Sequence, residues 1–196
     1  MNENDVRRAQ PRVDAQEVTG FLKRLQFALA MRDLYPMAGK RAALPAIARE
    51  LFVSQPCRRW RYVSLSSGVS FVVPADWPRW VVRATAKPQL LLGREAAGLV
   101  ISLASIRWAL RQRTVSPAFA CKHLSGLLDY VVRHPEVVPI LDASLTWEAA
   151  VEKRYGRIEE MADVGLLAVG GDAVAALRAR LALPDGMGCE QYVKQE

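Results

Sequence analysis

The sequence predicts an α+β fold: a small antiparallel sheet built on a β-hairpin, packed with several helices and carrying helical extensions at both ends. Three observations point there. Trp60-Arg61-Tyr62-Val63-Ser64-Leu65 and Val69-Ser70-Phe71-Val72-Val73-Pro74 are two β-rich runs joined by Ser66-Ser67-Gly68, and their aromatic and β-branched residues suit a pleated, half-buried surface. Before and after them, apolar residues recur at helical spacing. Of 196 residues, 51% are hydrophobic and 24% charged, the balance of a globular domain able to bury a core without staples.

Taken in order, residues 1–13 form a polar, charged arm with no apolar core of a secretion signal. Asp14-Ala15-Gln16-Glu17 has capping-box spacing, which predicts a first helix starting at Asp14. Val18, Phe21, Leu22, Leu25 and Leu29 then make one apolar stripe, and the helix stops before Pro36. Ala38-Gly39-Lys40 is like the end of a phosphate loop, but Leu34 and Arg41 stand where that motif needs Gly and Ser or Thr, which excludes it. A second helix is expected over residues 43–53, with Pro45 in its first turn and Leu44, Ile47, Ala48, Leu51 and Phe52 on its buried face.

In the hairpin, Gly68 supplies the positive φ of a tight turn, and Pro74, with no N–H to give, closes the second strand or sits at a sheet edge. Arg59 and Arg61 share one face of the first strand while Trp60 and Tyr62 share the other. Residues 79–85 predict a third strand with the same alternation, Arg79 and Arg83 one way and Trp80 and Val82 the other. The sheet would then show an arginine-rich face opposite an aromatic, aliphatic one. In the simpler reading a helix covers one face and the arginines occupy the wet side. Leu90-Leu91-Leu92 reads as a further short strand.

Residues 94–113 are apolar nearly all round, the mark of a central buried helix. Gly98 in its middle costs about 1 kcal/mol against Ala, so close packing is expected there. Arg107, Arg111 and Arg113 would form the wet C-terminal end, favoured by the helix dipole. Ser116-Pro117 is an N-cap followed by Pro at the first helical position, and the helix it starts would run to about Arg133, burying Leu124, Leu127, Leu128 and Val131. His134-Pro135-Glu136 ends it, with His134 placed to meet the exposed carbonyls. A short helix over 138–141, a helix over 147–161 capped by Thr146, a glycine corner at Gly170-Gly171 and a last helix over 173–183 follow, with a tail from Pro184.

The formal net charge is +7, and residues 57–113 supply it, with 10 basic and 2 acidic side chains; residues 114–196 carry 8 basic and 12 acidic. A basic middle either meets a polyanion or forms a solvated face, and its sign argues against imitation of DNA by surface carboxylates. Docking of the acidic last third on the basic middle of a second copy would make a homo-oligomer. Cys57, Cys121 and Cys189 are too few and scattered for a disulfide framework, and Cys121 with His123 falls short of a zinc site. Ser64, Ser66 and Ser67 lack the glycine that precedes a nucleophile at a strained elbow. His123 and His134 stand about three turns apart, roughly 16 Å, and no two carboxylates pair as acid and base. These observations predict a non-enzymatic, cytoplasmic protein with no cofactor, no metal and no membrane span.

Three blocks in this order resemble the ArdB/KlcA antirestriction family. Trp60 to Pro74, with Leu65-Ser66-Ser67-Gly68 and closing Val73-Pro74, is similar to the family's strand–turn–strand, which reads like YWxFYxLSNGGFYMAP. Glu95-Ala96-Ala97-Gly98-Leu99 resembles its DAAGI helix start. His123-Leu124, Leu128-Asp129-Tyr130, His134-Pro135-Glu136 and Ile140-Leu141-Asp142 resemble its last helix and HPE end. Arg58 and Arg59 replace small residues of the pattern, and Val69 replaces a glycine. The resemblance spans about residues 44–142 and implies an α+β core over 44–143, flanked by an arm and helix over 1–43 and a helical extension over 144–196. It also implies a protein of a plasmid or other mobile element that relieves type I restriction of incoming DNA through contacts with the restriction machinery or associated host proteins. The expected protein contacts are Ser66 and Ser67 of the hairpin and the Pro135-Glu136 corner. In the alternative, an accessory protein that binds nucleic acid, Arg58, Arg59, Arg61, Arg79 and Arg83 contact phosphates beside Trp60 or Trp80.

Overall fold

A computed structural model describes residues 14–31, 33, 35, 43–53, 57, 59–83 and 90–155, with side chains as far as Trp147. The expected arm over residues 1–13, residues 36–42, Arg58 and the expected elements beyond 155 lie outside the described residues. The hairpin forms where the alternation places it: β2 (Trp60–Leu65) and β3 (Ser70–Pro74) pair antiparallel from Trp60↔Pro74 to Ser64↔Ser70. The turn closes through Gly68 at φ 78°, a conformation open to glycine.

The predicted start of the first helix is corrected. Ala15–Glu17 is a strand, β1, paired with β2 from Ala15↔Leu65 to Glu17↔Val63. A capping box would turn the Glu17 carboxylate back to the Asp14 N–H. Instead that carboxylate accepts from Arg61 at 3.1 Å and Arg24 at 3.4 Å, and the Asp14 N–H donates to Ser66 Oγ. The ladder satisfies these groups, so the box does not form. Helix α1 (Phe21–Ala30) begins only after Gly20. It leans on the sheet through Phe27, whose ring lies 4.7 Å from that of Tyr62, and its expected apolar stripe faces outward.

Helix α2 (Ala43–Leu51) buries Leu44, Ile47, Ala48 and Leu51 as the spacing predicts. It ends earlier than expected because Phe52 bridges to Val82 and the Val53 N–H donates to Val81. A second correction concerns the third strand. β4 (Arg79–Val81) pairs with β5 (Leu91–Gly93) in a separate two-stranded sheet and does not extend the hairpin. The edge of β3 is already occupied: Tyr35 Oη donates to Ser70 O at 2.6 Å, Val72 N–H donates to Ser102 Oγ at 3.1 Å, and Pro74 has no N–H. The arginines of β2 and β4 therefore share no sheet face. Within β4 the alternation holds, with Trp80 and Val82 buried and Arg79 and Arg83 exposed.

Helix α3 (Arg94–Arg111) is the core, buried without interruption over residues 96–106. A Cβ on Gly98 would collide with the Val72 carbonyl and lie 2.9 Å from Val73 Cα, which is the close approach anticipated for this glycine. Its C-terminal end is less wet than expected. The Arg107 guanidinium nitrogens are buried, and burial pulls its pKa down to about 10. Helix α4 (Pro117–Val131) is capped by Ser116 Oγ, which accepts from Phe119 N–H. The expected pair of helices after it is one continuous helix, α5 (Val137–Tyr155). Pro139 falls in its first turn, where an N–H has no helical partner anyway. Thr146 starts nothing, because its hydroxyl donates back to Asp142 O. Among the described residues, no helix is long and apolar enough to cross a membrane.

Candidate contact surface

The connection from β3 to β4 is fixed from several sides. Arg59 meets Asp76 twice, through its backbone N–H at 3.0 Å and Nε at 2.9 Å, and Arg59 O accepts from Ala75 N–H and Cys57 Sγ. Burial, with Asp76 nearby, pushes the Cys57 thiol up to about 12, so it stays protonated and unreactive at neutral pH. The Trp77 carbonyl accepts from Trp80 Nε1 at 3.1 Å and Arg94 Nε at 3.2 Å. Its main chain is thus tied down while the residue stays 42% exposed. Trp80 does the reverse, buried edge-on against Phe52 with ring centroids 5.2 Å apart. Around the Trp77 loop stand Arg59, Arg79, which pairs with Gly93 in the β4–β5 ladder, and Arg94.

The His134-Pro135-Glu136 corner reaches the same end of the molecule. Glu136 Oε1 accepts the Gly93 N–H at 2.8 Å at the start of α3, a carboxylate position the helix dipole favours. Tyr130 Oη donates to Glu95 Oε1 at 2.6 Å. The Glu136 N–H donates to His134 Nδ1, so this ring caps its own turn rather than the α4 carbonyls expected from the sequence. Burial and the Glu95 carboxylate hold the Tyr130 hydroxyl well above its ordinary value. Burial lowers the His134 pKa against the opposing pull of Glu95 and Glu136. Two of the quoted motifs, the α3 start and the HPE corner, are therefore one hydrogen-bonded joint.

The predicted contact residues divide between two ends of the hairpin. Arg59 is joined to Asp76, Arg79 follows Trp77 by two residues, and Glu136 is bound to Gly93, next to the Arg94 that meets the Trp77 carbonyl, with Pro135 exposed and Glu136 turned inward. Ser66 and Ser67 sit at the opposite, turn end, exposed, with Ser66 Oγ bound to Asp14 N–H. Arg61 is held by Glu17, Trp60 is half-buried, Trp80 is buried, and Arg83 donates to Phe52 O. Arg58 lies outside the described residues. Asp76, Trp77 and Arg94, which these bonds bring together, were not singled out from sequence. The available signal was a tryptophan before Pro78, between two strand runs, where no strand face would bury it.

Residues 57–144 match the model of a family described as Antirestriction protein. No curated protein matches the sequence. The matched stretch includes β2 to α4, the Trp77 loop and the first turns of α5, and supports an antirestriction role.

Proposed function

We propose that this protein is an antirestriction protein of the ArdB/KlcA type, encoded on a plasmid or other mobile element, that relieves type I restriction without catalysis. It acts by touching the restriction machinery or host proteins attached to it. The observation that carries the reading is the antirestriction match over residues 57–144, the stretch that builds the Trp77 surface. Trp and Arg dominate the energetics of protein interfaces, and Trp77 with Arg59, Arg79, Arg94 and Pro135 supplies both around a fixed main chain. The positive charge suits an acidic patch on the partner and opposes mimicry of DNA, since residues 14–155 carry 20 basic and 11 acidic side chains. Unmodified phage plated on cells with a type I restriction system should recover efficiency when the protein is expressed, while plating on restriction-deficient cells stays the same. No recovery at good expression would refute the role.

A second reading is favoured by the same tryptophan: an exposed indole among arginines is also a stacking platform for a nucleic-acid base. It predicts binding to a labelled oligonucleotide that weakens steeply with salt. Absent or salt-insensitive binding leaves protein contact as the mechanism.

A further inference from the structure

Helix α1 turns its apolar stripe away from the body of the protein. Phe21, Leu22, Leu25 and Leu29 are 79%, 71%, 45% and 60% exposed, and 3.6 residues per turn places them within an arc of about 100°. Phe27, on the far side, makes the contact with Tyr62. A helix of 10 residues is marginal in water without packing, and four adjacent large apolar side chains form the kind of patch that a soluble protein covers.

We infer that residues 173–183 of the same chain cover this stripe. The described structure ends at Tyr155, and residues 156–196 follow it. Within them Val174, Leu177 and Leu181 recur at i, i+3 and i+7, a stripe two turns long, which matches the roughly 12 Å from Phe21 to Leu29. The intervening residues 156–172 span up to roughly 56 Å when extended, ample beside a radius of gyration of about 14 Å for a domain of this size. Tethering selects this occupant over a second copy, because the covering segment carries Arg178 and Arg180 and no carboxylate, its acidic neighbours lying on either side. Residues 14–155 carry a net +9, whereas residues 156–196 carry 4 basic and 7 acidic side chains, a net −3. Two whole chains, each at +7, repel, the acids that flank the segment, Asp172 and Asp185, are drawn to the basic body, and tethering holds the tail at an effective concentration in the millimolar range.

The test uses the full chain. Leu177→Asp with Leu181→Asp should make the α1 amides exchange with solvent about tenfold faster or more, while the α3 amides keep their protection. In a Cys121→Ser, Cys189→Ser background, which leaves only the buried Cys57, Leu25→Cys and Leu177→Cys should be joined by a short bismaleimide within one chain, at monomer mass. Unchanged exchange in α1 overturns the inference. A link formed between two chains overturns it in favour of a dimer. Neither readout involves restriction, so the outcome is independent of the plating assay.

Discussion

A methyl group on Gly98 would run into the main chain of β3, at the Val72 carbonyl and the Val73 Cα, and main chain in a paired strand cannot swing aside as a side chain can. Helix propensity favours Ala over Gly by about 1 kcal/mol, whereas overpacking costs about 1–3 kcal/mol. Gly98→Ala should therefore lower stability by up to about 2 kcal/mol, read as a lower urea midpoint; a raised midpoint would mean the sheet gives way. At His123 the issue is charge. The ring is buried, its Nδ1–H donates to Phe119 O at 3.0 Å, and Nε2 has no hydrogen-bond partner among the described residues. Burial, joined by a smaller push from Lys122, holds its pKa below the ordinary 6.5 against the Phe119 carbonyl, which raises it, and burial does the same for His134. Below pH 6.5 the unfolded chain therefore binds protons that the folded one refuses, so stability falls as pH drops from 6.5 toward the lower folded values. His123→Leu should flatten part of that slope in denaturation curves taken from pH 7.5 down to about pH 5. An unchanged slope would place the proton uptake elsewhere.

At the scale of the element, the hairpin and α3 were legible because their signals are local: a turn glycine between β-rich runs, and an apolar pattern with no polar side. The first helix was misplaced for the same reason. Capping-box spacing is read over four residues, but the hydrogen bond that wins comes from Ser66, 52 positions from Asp14. Likewise nothing near residues 79–85 announces that the β3 edge is taken. Tyr35 and Ser102 take it, one reaching Ser70 O and the other Val72 N–H, and so close the edge against further pairing. Ser102→Ala should leave the Val72 N–H buried without its acceptor and cost about 1–3 kcal/mol, measured by the shift in denaturant midpoint. A shift near zero would show that another group can serve that N–H. The division of α5 into two expected helices has a similar origin, since Pro139 and Thr146 look like boundaries in sequence and are absorbed by one helix.

Across the whole molecule, part of the proposed contact surface coincides with residues singled out from sequence and its centre does not. Arg59, Arg79 and the Pro135-Glu136 corner are candidates by charge, alternation and motif, whereas Trp77 comes forward only in the fold, where Trp80 and Arg94 bind its carbonyl and the residue stays part-exposed. That arrangement separates fold from function. The bonds that set the loop end on the main-chain oxygen of residue 77, so Trp77→Ala keeps them and removes the projecting indole alone. The melting temperature should hardly move, as for other exposed positions, whereas loss of an interface hot spot, at about 2 kcal/mol or more, corresponds to roughly thirtyfold weaker binding. Relief of restriction by Trp77→Ala should fall accordingly in the plating assay. Ser67→Ala, at the opposite end of the hairpin, should leave relief intact. If instead Ser67→Ala abolishes relief and Trp77→Ala does not, the partner meets the turn of the hairpin, and the arginines around Trp77 are only a solvated face.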